Sequence, residues 1–269
     1  MKTWTPRSSS LAGYLYCQAR AAYDRAYAVG DLVAEDTGPR DMKYADLGTI
    51  IHQELQQHLG CVFDTPPEPH SIETITSAAA LFGGDATKLM PAVNSAVLAA
   101  AGSMPQAADG KPWRAEVRAK SRLLTGHIDF LSQDGTQLID LKTTSRKPDH
   151  NRVKGEHFLQ MLAYKFLVPS ITSAHILYVD AVGARWAMLS PPMDFASPDL
   201  LAQVERLPAF LRRIRSKNIY ASAIATPGGH CASGFCPHTA ICKDRFIPGP
   251  GTIVDRVVTA LPACTEVFQ

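Results

Sequence analysis

The sequence has no apolar run approaching the roughly 18 residues that span a bilayer, so no membrane association is expected. Its first ten residues are polar and lack the apolar centre of a secretion signal, and the expected location is the cytoplasm. No charge of one sign dominates: 27 Lys and Arg against 25 Asp and Glu leave +2. The molecule as a whole is therefore no electrostatic glue for nucleic acid. Any DNA site must come from local basic patches. There is no internal repeat and no low-complexity segment. Disulfides are not expected either: the cytosol keeps thiols reduced, so the six cysteines need another explanation.

What is present is 269 residues at 46% hydrophobic, enough for one large core or two small ones. Residues 8–27 read as a helix. Ser8, Ser9 and Ser10 offer capping oxygens, and Leu11, Tyr14, Leu15 and Tyr23 recur near the helical period. Residues 44–59 read as a second helix, with Leu47, Ile51, Leu55 and Leu59 on one stripe and Gly60 at its end. Residues 72–101 are Ala-rich and helical in pattern, broken at Gly83 and Gly84. The period then changes. Residues 113–123 alternate as a half-buried strand, with Arg114, Glu116, Arg118 and Lys120 on one face. Residues 126–132 and 136–144 are two more strands, joined across a Gln-Asp-Gly turn signal. Residues 158–168 are apolar nearly all round, as for a helix buried against a sheet. Residues 174–182 and 185–190 form a further hairpin. Ser197 and Pro198 open a long helix, which Pro208 should kink. This order implies an α/β fold, a central mixed sheet flanked by helices. One domain over residues 1–269 is expected, with 28–110 as a helical lobe and 225–245 as a Cys-rich segment.

The hairpin carries the chemistry. With a two-residue loop at Asp134 and Gly135, Leu131 faces Leu138, Asp129 faces Asp140, and His127 faces Lys142. Alternation puts those last four on one face, and Ile128, Phe130, Ile139 and Leu141 on the other. Burial of the apolar face pins the register. The two carboxylates then have Cβ atoms about 4.5–5.5 Å apart. Like charges that close disfavour each other unless a cation lies between them. Mg²⁺, which takes oxygen ligands, is the natural one. Lys142 stands beside it, placed to orient an attacking water or to steady charge on a phosphate. A solvated hairpin with scattered charges is the plainer alternative, but it leaves the opposed aspartates unexplained.

Gly126, His127, Ile128 and Asp129, followed by Ile139, Asp140, Leu141, Lys142 and Thr143, resemble the G-x-x-D and D/E-x-K motifs of RecB-like PD-(D/E)XK nucleases. Gln160 and Tyr164 match their Q-x-x-x-Y helix, and Gly48 to His52 their upstream G-x-x-x-H motif. Ser8, Ser9, Ser10, Leu11, Tyr14 and Cys17 resemble the opening of the iron–sulfur members, among them AddB-type and CRISPR-adaptation nucleases. The motifs keep the family's order from Ser8 to Cys242. The resemblance implies a restriction-endonuclease-like core. It implies Asp129 and Asp140 as ligands to Mg²⁺ or Mn²⁺, completed by the Leu141 carbonyl and His52. An imidazole suits Mn²⁺ better than Mg²⁺. It makes Lys142 the catalytic lysine, and gives Gln160 and Tyr164, four apart on one helical face, the task of holding substrate or metal site. Taken alone, Tyr164 reads as core and His52 as structural. Glu116 reads first as a solvated strand residue and second as an accessory acid.

Cys231, Cys236 and Cys242 crowd one irregular stretch, and with Cys17 they make four thiols. Thiolates select zinc or iron–sulfur clusters. The resemblance implies a [4Fe–4S] cluster stapling the first helix to the tail. Two features depart from the family: four residues separate Cys231 from Cys236, and Gln18 follows Cys17 where proline is common. They leave structural zinc open, with His230 and His238 as substitute ligands. The expected activity is hydrolysis of DNA, single-stranded or with single-stranded ends, by an exonuclease. Arg212, Arg213, Arg215 and Lys217, or Arg146 and Lys147, are candidates to track its backbone. The alternative is a DNA-end-binding accessory subunit of a recombination or CRISPR-adaptation complex.

Overall fold

The structure, a computed structural model, describes residues 4–16, 18–29, 42–148 and 153–215. Its centre is a mixed sheet of β1 (Val62–Phe63), β2 (Arg114–Lys120), β3 (Thr125–Leu131), β4 (Gln137–Thr144), β5 (Ser173–Asp180) and β6 (Ala187–Leu189), in that order. A further strand, β7 (Met193–Asp194), also pairs with β5. β2, β3 and β4 are antiparallel neighbours, whereas β4 and β5 are parallel. A parallel pair needs a crossover, and α6 (Gly155–Leu167) supplies it. Its residues 158–164 are all buried, as an all-round apolar pattern demands. β1 and β7 were not foreseen, because two residues display no period.

Helices cover both faces of the sheet. Leu138, Ile176 and Tyr178 face α6 together with α1 (Leu11–Tyr16), α2 (Gln18–Val29) and α7 (Pro198–Arg215). Ile139, Leu141, Leu177 and Val179 face α3 (Lys43–His58), α4 (Ile72–Ala79) and α5 (Ala86–Ser103). The expected first helix, residues 8–27, is helical as α1 and α2 but opens as a 3-10 turn, Ser8–Ser10, with no side-chain cap. The break in the Ala-rich stretch falls at Gly83 and Gly84, both at positive φ. Pro208 lies inside α7, which continues to Arg215. Among the described residues no helix is long and apolar enough to cross a membrane.

The β3–β4 turn differs from the two-residue loop expected at Asp134 and Gly135. The Gly135 N–H donates to the Ser132 carbonyl at 3.0 Å, and the Ser132 N–H to the Gln137 carbonyl at 2.9 Å. Four residues, 133–136, therefore make the loop, with Gly135 at φ 72 and the Asp134 carboxylate accepting the Thr136 N–H. The pairing total survives: Leu131 pairs with Leu138 and Phe130 with Ile139.

The expected shared face of Ile128 and Phe130 does not survive. Ile128 packs on the α6 side and Phe130 on the α3 side. The cause lies in the next strand over, where no bridge joins Glu116 to Asp129 and Glu116 has φ 53. Alternation changes phase at that point, so residues two apart face opposite ways.

Gly126 is the tightest contact between β3 and the α6 layer. A Cβ there would lie 2.9 Å from Tyr164 Cε1 and 2.8 Å from Ser8 Oγ. Gly126→Ala therefore overpacks the junction of β3, α6 and the N-terminal turn, and should lower stability by about 1–3 kcal/mol. A shift in the urea midpoint at unchanged slope reads this directly. An unshifted midpoint would mean that the junction is loose.

Candidate active site

β3 and β4 part company after the Phe130–Ile139 pair. β4 stays bonded to β5 as far as Thr144, and β3 to β2 as far back as Thr125, so the sheet opens between the two pairs. The Leu141 N–H consequently has no ladder partner in β3. The Asp129 carboxylate takes that place, with Oδ2 accepting the Leu141 N–H at 2.7 Å. The two aspartates therefore do not sit as a cross-strand pair on one face, as the hairpin arithmetic implied. Asp129 leans towards α3, where its Oδ2 lies 3.7 Å from His52 Nδ1. Asp140 leans towards α6, where its Oδ1 accepts from Gln160 Nε2 at 3.2 Å.

Lys142 Nζ lies 2.6 Å from Asp140 Oδ2. Gln160 Nε2 also donates to the Tyr164 hydroxyl at 2.7 Å, and that hydroxyl donates to the His127 carbonyl. Four residues make one helical turn and a little more, so Gln160 and Tyr164 lie on one face of α6. Together they tie Asp140 to the start of β3. His52 and Leu141 face the same cleft. Asp129, Asp140, Lys142, Gln160, Tyr164, His52 and Leu141 are thus brought together. The His127 side chain is exposed and contributes only its carbonyl. Cys17, Cys231, Cys236 and Cys242, with His230, His238 and Lys217, lie outside the described residues.

Two further residues join that sequence reasoning missed or misjudged. Glu116, read first as a solvated strand residue and second as an accessory acid, is exposed, and at φ 53 its carboxylate also reaches the site. Its carboxylate, the His52 ring and the Asp129 carboxylate each offer a donor atom, and these atoms lie within 4.8 Å of one another. Gln56 is buried on α3 and donates to Glu116 Oε1 at 2.9 Å and to the Asp129 carbonyl at 3.4 Å. Its spacing of four from His52 was the available signal. On the other side, His157 Nδ1 lies 2.9 Å from the Tyr178 hydroxyl, and Tyr178 pairs with Lys142 in the β4–β5 ladder. A cleft of about 500 Å³ opens over the group between α3 and β4, lined among others by Gly48, Thr49, His52, Glu116, Asp129 and Lys142. Gly48 permits the close approach: a Cβ would stand 2.7 Å from Thr143 Oγ1.

Burial dominates the electrostatics. It pushes the carboxyls of Asp129 and Asp140 up to about 6, against the pull of Lys142. Burial also opposes the charge on Lys142, but Asp140 and Asp129 outweigh it and hold the ammonium above its ordinary value. His52 is lowered to about 4 by burial and by Lys142, so its ring is neutral near pH 7. A neutral imidazole and two or three carboxylates around one point form a donor set that fits Mg²⁺ or Mn²⁺.

The chain matches the family model described as the PD-(D/E)XK nuclease superfamily over residues 8–243. No curated protein matches it. Among solved structures it is similar to a phage related exonuclease from Haemophilus somnus 129PT. The identity is 12%, over 82% of this chain and 97% of that one, with a TM-score of 0.37. The family match covers nearly the whole span from the N-terminal turn to beyond α7, and on it this chain belongs to the PD-(D/E)XK nuclease superfamily.

Proposed function

We propose that this chain is a divalent-metal-dependent deoxyribonuclease that hydrolyses single-stranded DNA from its ends. The observation that carries the reading is the meeting of His52, Glu116 and Asp129 beside Lys142 in one open cleft, with Asp140 buried directly against Lys142. Asp129, Asp140, His52 and the Leu141 carbonyl would hold the ion, with Glu116 as a further carboxylate donor. A bound Mg²⁺ or Mn²⁺ would supply a water of lowered pKa and neutralise charge on the phosphate. Lys142 contributes a fixed ammonium beside Asp140, able to donate to a phosphoryl oxygen or to orient water. Gln160 holds Asp140 Oδ1, which leaves Oδ2 towards Lys142. In the reaction a hydroxyl adds to phosphorus as the bond to the leaving sugar oxygen breaks, and that oxygen acquires a proton. The same reading assigns Cys17, Cys231, Cys236 and Cys242 to a [4Fe–4S] cluster, with zinc as the alternative. It rests on the resemblance to the iron–sulfur members, together with the crowding of the three tail cysteines.

The raised carboxyls set the pH dependence of the metal-free protein. A carboxyl whose pKa is higher folded than unfolded keeps extra protons in the native state. The contribution of Asp129 and Asp140 is therefore favourable at low pH and is lost as the pH rises through about 6. A divalent ion replaces those protons. Mn²⁺ at about a hundredfold excess over its Kd should raise Tm by about 5 °C or more at pH near 7.5. It should do much less near pH 5. A rise of equal size at both values would place the ion elsewhere.

End-labelled linear and circular single-stranded DNA, with Mn²⁺, Mg²⁺ or chelator, test the activity. Metal-dependent loss of the linear form alone is expected. Asp129→Ala, Asp140→Ala and Lys142→Ala should each cut the rate at least about a hundredfold while retaining DNA binding. Full activity in any one of them would show the site misassigned. Binding without cleavage by the unaltered protein would favour an accessory subunit. For the cysteines, anaerobically purified protein should be brown, with iron and sulfide in stoichiometric amounts. Colourless protein carrying one zinc would select the alternative.

A further inference from the structure

One corner of the sheet is left uncovered beside the cleft. Helix α3 crosses the sheet diagonally, from Gly48 against Thr143 of β4 to Gln56 against Glu116 of β2. It then hands on to β1, which pairs only with Arg114 and Ala115. The outer halves of β2 and β3, from Val117 and Ile128 onwards, thus extend beyond it. There Val117, Ala119, Gly126 and Ile128 are buried, the apolar ones towards α6. Arg118, Lys120 and His127 alternate with them and are exposed on the α3 side, with Arg118 directly opposite His127. Arg122, at the turn, is exposed as well. Among the described residues no carboxylate lies within salt-bridge distance of Arg118, Lys120 or Arg122.

This corner is continuous with the proposed metal site. Glu116 and Asp129 precede Arg118 and follow His127 by two residues on the same strands. β4 runs antiparallel to β3, so Lys142 lies at the same end of the sheet as Lys120 and His127. Residues two apart on a strand stand about 7 Å apart, a spacing of the order of the phosphate repeat in an extended nucleic-acid strand. A row of exposed cations leading to a cleft is one of the two parts of single-strand binding sites, the part that follows the backbone.

We infer that Arg118 and Lys120, with His127 and Arg122 beside them, form a track for single-stranded DNA leading to the cleft. The inference rests on the nuclease reading for its direction, since the track ends at Glu116 and Asp129. It takes the place of Arg212 and Arg213 in the expectation from sequence, whereas Arg215 donates to the Arg122 carbonyl and so stands at the turn end of the corner. Leu207, Leu211 and Ile214 of α7 pack on the α6 side of the sheet, so Arg212 and Arg213 lie in the layer away from the cleft. Basic residues on a partly unpaired strand also deter edge-to-edge pairing, and the test must separate the two roles.

The full-length protein, in chelator, is titrated with a fluorescein-labelled oligothymidine at several salt concentrations. Each phosphate contact contributes about 0.7 to the slope of log affinity against log salt for a single strand. The Arg118→Gln/Lys120→Gln protein should lose about 1.4 of that slope, each single variant about half as much. Arg212→Gln/Arg213→Gln should keep the full slope. With Mn²⁺ present, the double variant should show a raised KM on a long oligothymidine at unchanged kcat. The single variants keep the test readable should the double variant fail to fold. An unchanged slope, or equal losses in the α7 control, overturns the track. So does an equal loss of affinity for blunt duplex. Failure of the unaltered protein to cleave defeats the nuclease reading instead, because the slope is measured without metal.

Discussion

The parting of β3 from β4 after Phe130 and Ile139 is the constraint on which the rest of the structure depends. A continuous ladder would have satisfied the Leu141 N–H with a backbone carbonyl and placed Asp129 as one more side chain on a pleat. Once β3 diverges, that N–H is buried and needs an acceptor. Asp129 is the acceptor, and its carboxylate is thereby fixed beside β4. Charge-assisted hydrogen bonds of this kind are worth about 1.5–3 kcal/mol. That is less than the cost of burying two neighbouring carboxylates, and both carboxyls remain raised to about 6. Lys142 offsets part of the excess negative charge. The remainder makes this point in the molecule favourable for a cation.

Two helices hold the divergence open, one from each side of the sheet, and each does so through a glycine. Gly48 lets α3 approach Thr143, so His52 and Gln56 reach the parted strands from above. Gly126 lets Tyr164 approach β3, so Gln160 reaches Asp140 from below. In both helices the polar pair is spaced by four: His52 with Gln56, Gln160 with Tyr164. That spacing puts two side chains on the buried stripe without interrupting the apolar residues around them. Gln56 and Gln160 perform matching tasks. Each gives a carboxylate an amide N–H and so fixes its orientation.

The hairpin register was legible because alternation leaves few choices. Leu131 with Leu138 and Phe130 with Ile139 follow from burial, even though the turn has four residues rather than two. What strict alternation could not show was its own failure at Glu116 and Asp129. A glutamate at φ 53 is a cost that no local propensity favours. It is held by contacts from α3, sixty residues away in sequence, so the signal is tertiary. For that reason Ile128 was assigned to the wrong face, and Glu116, which is exposed as expected, was ranked below its place in the site. His52, Gln160 and Tyr164 were legible only through motif resemblance, since by composition each resembles an ordinary core or helical residue. The tail cysteines were legible as a set, and they fall outside the described residues.

The near-neutral net charge of +2 conceals a separation that matters for a polyanionic substrate. The acids Glu116 and Asp129 line the cleft, with Asp140 buried behind Lys142, while Arg118, Lys120 and Arg122 stand exposed on the adjoining corner. Without an ion the floor repels a phosphate, and only the corner attracts it. A seated divalent ion cancels two charges of the floor and extends the attractive region to the point of reaction. Ion and strand must then favour each other's binding, and by the same factor in either direction. Low-dielectric walls enlarge that factor, because charges buried in the cleft are screened less than charges on the rim. The overall charge of the molecule therefore says little about its affinity for DNA. On the nuclease reading, the parted strands, by holding Glu116 and Asp129 close to a basic corner, would make that affinity depend on the metal.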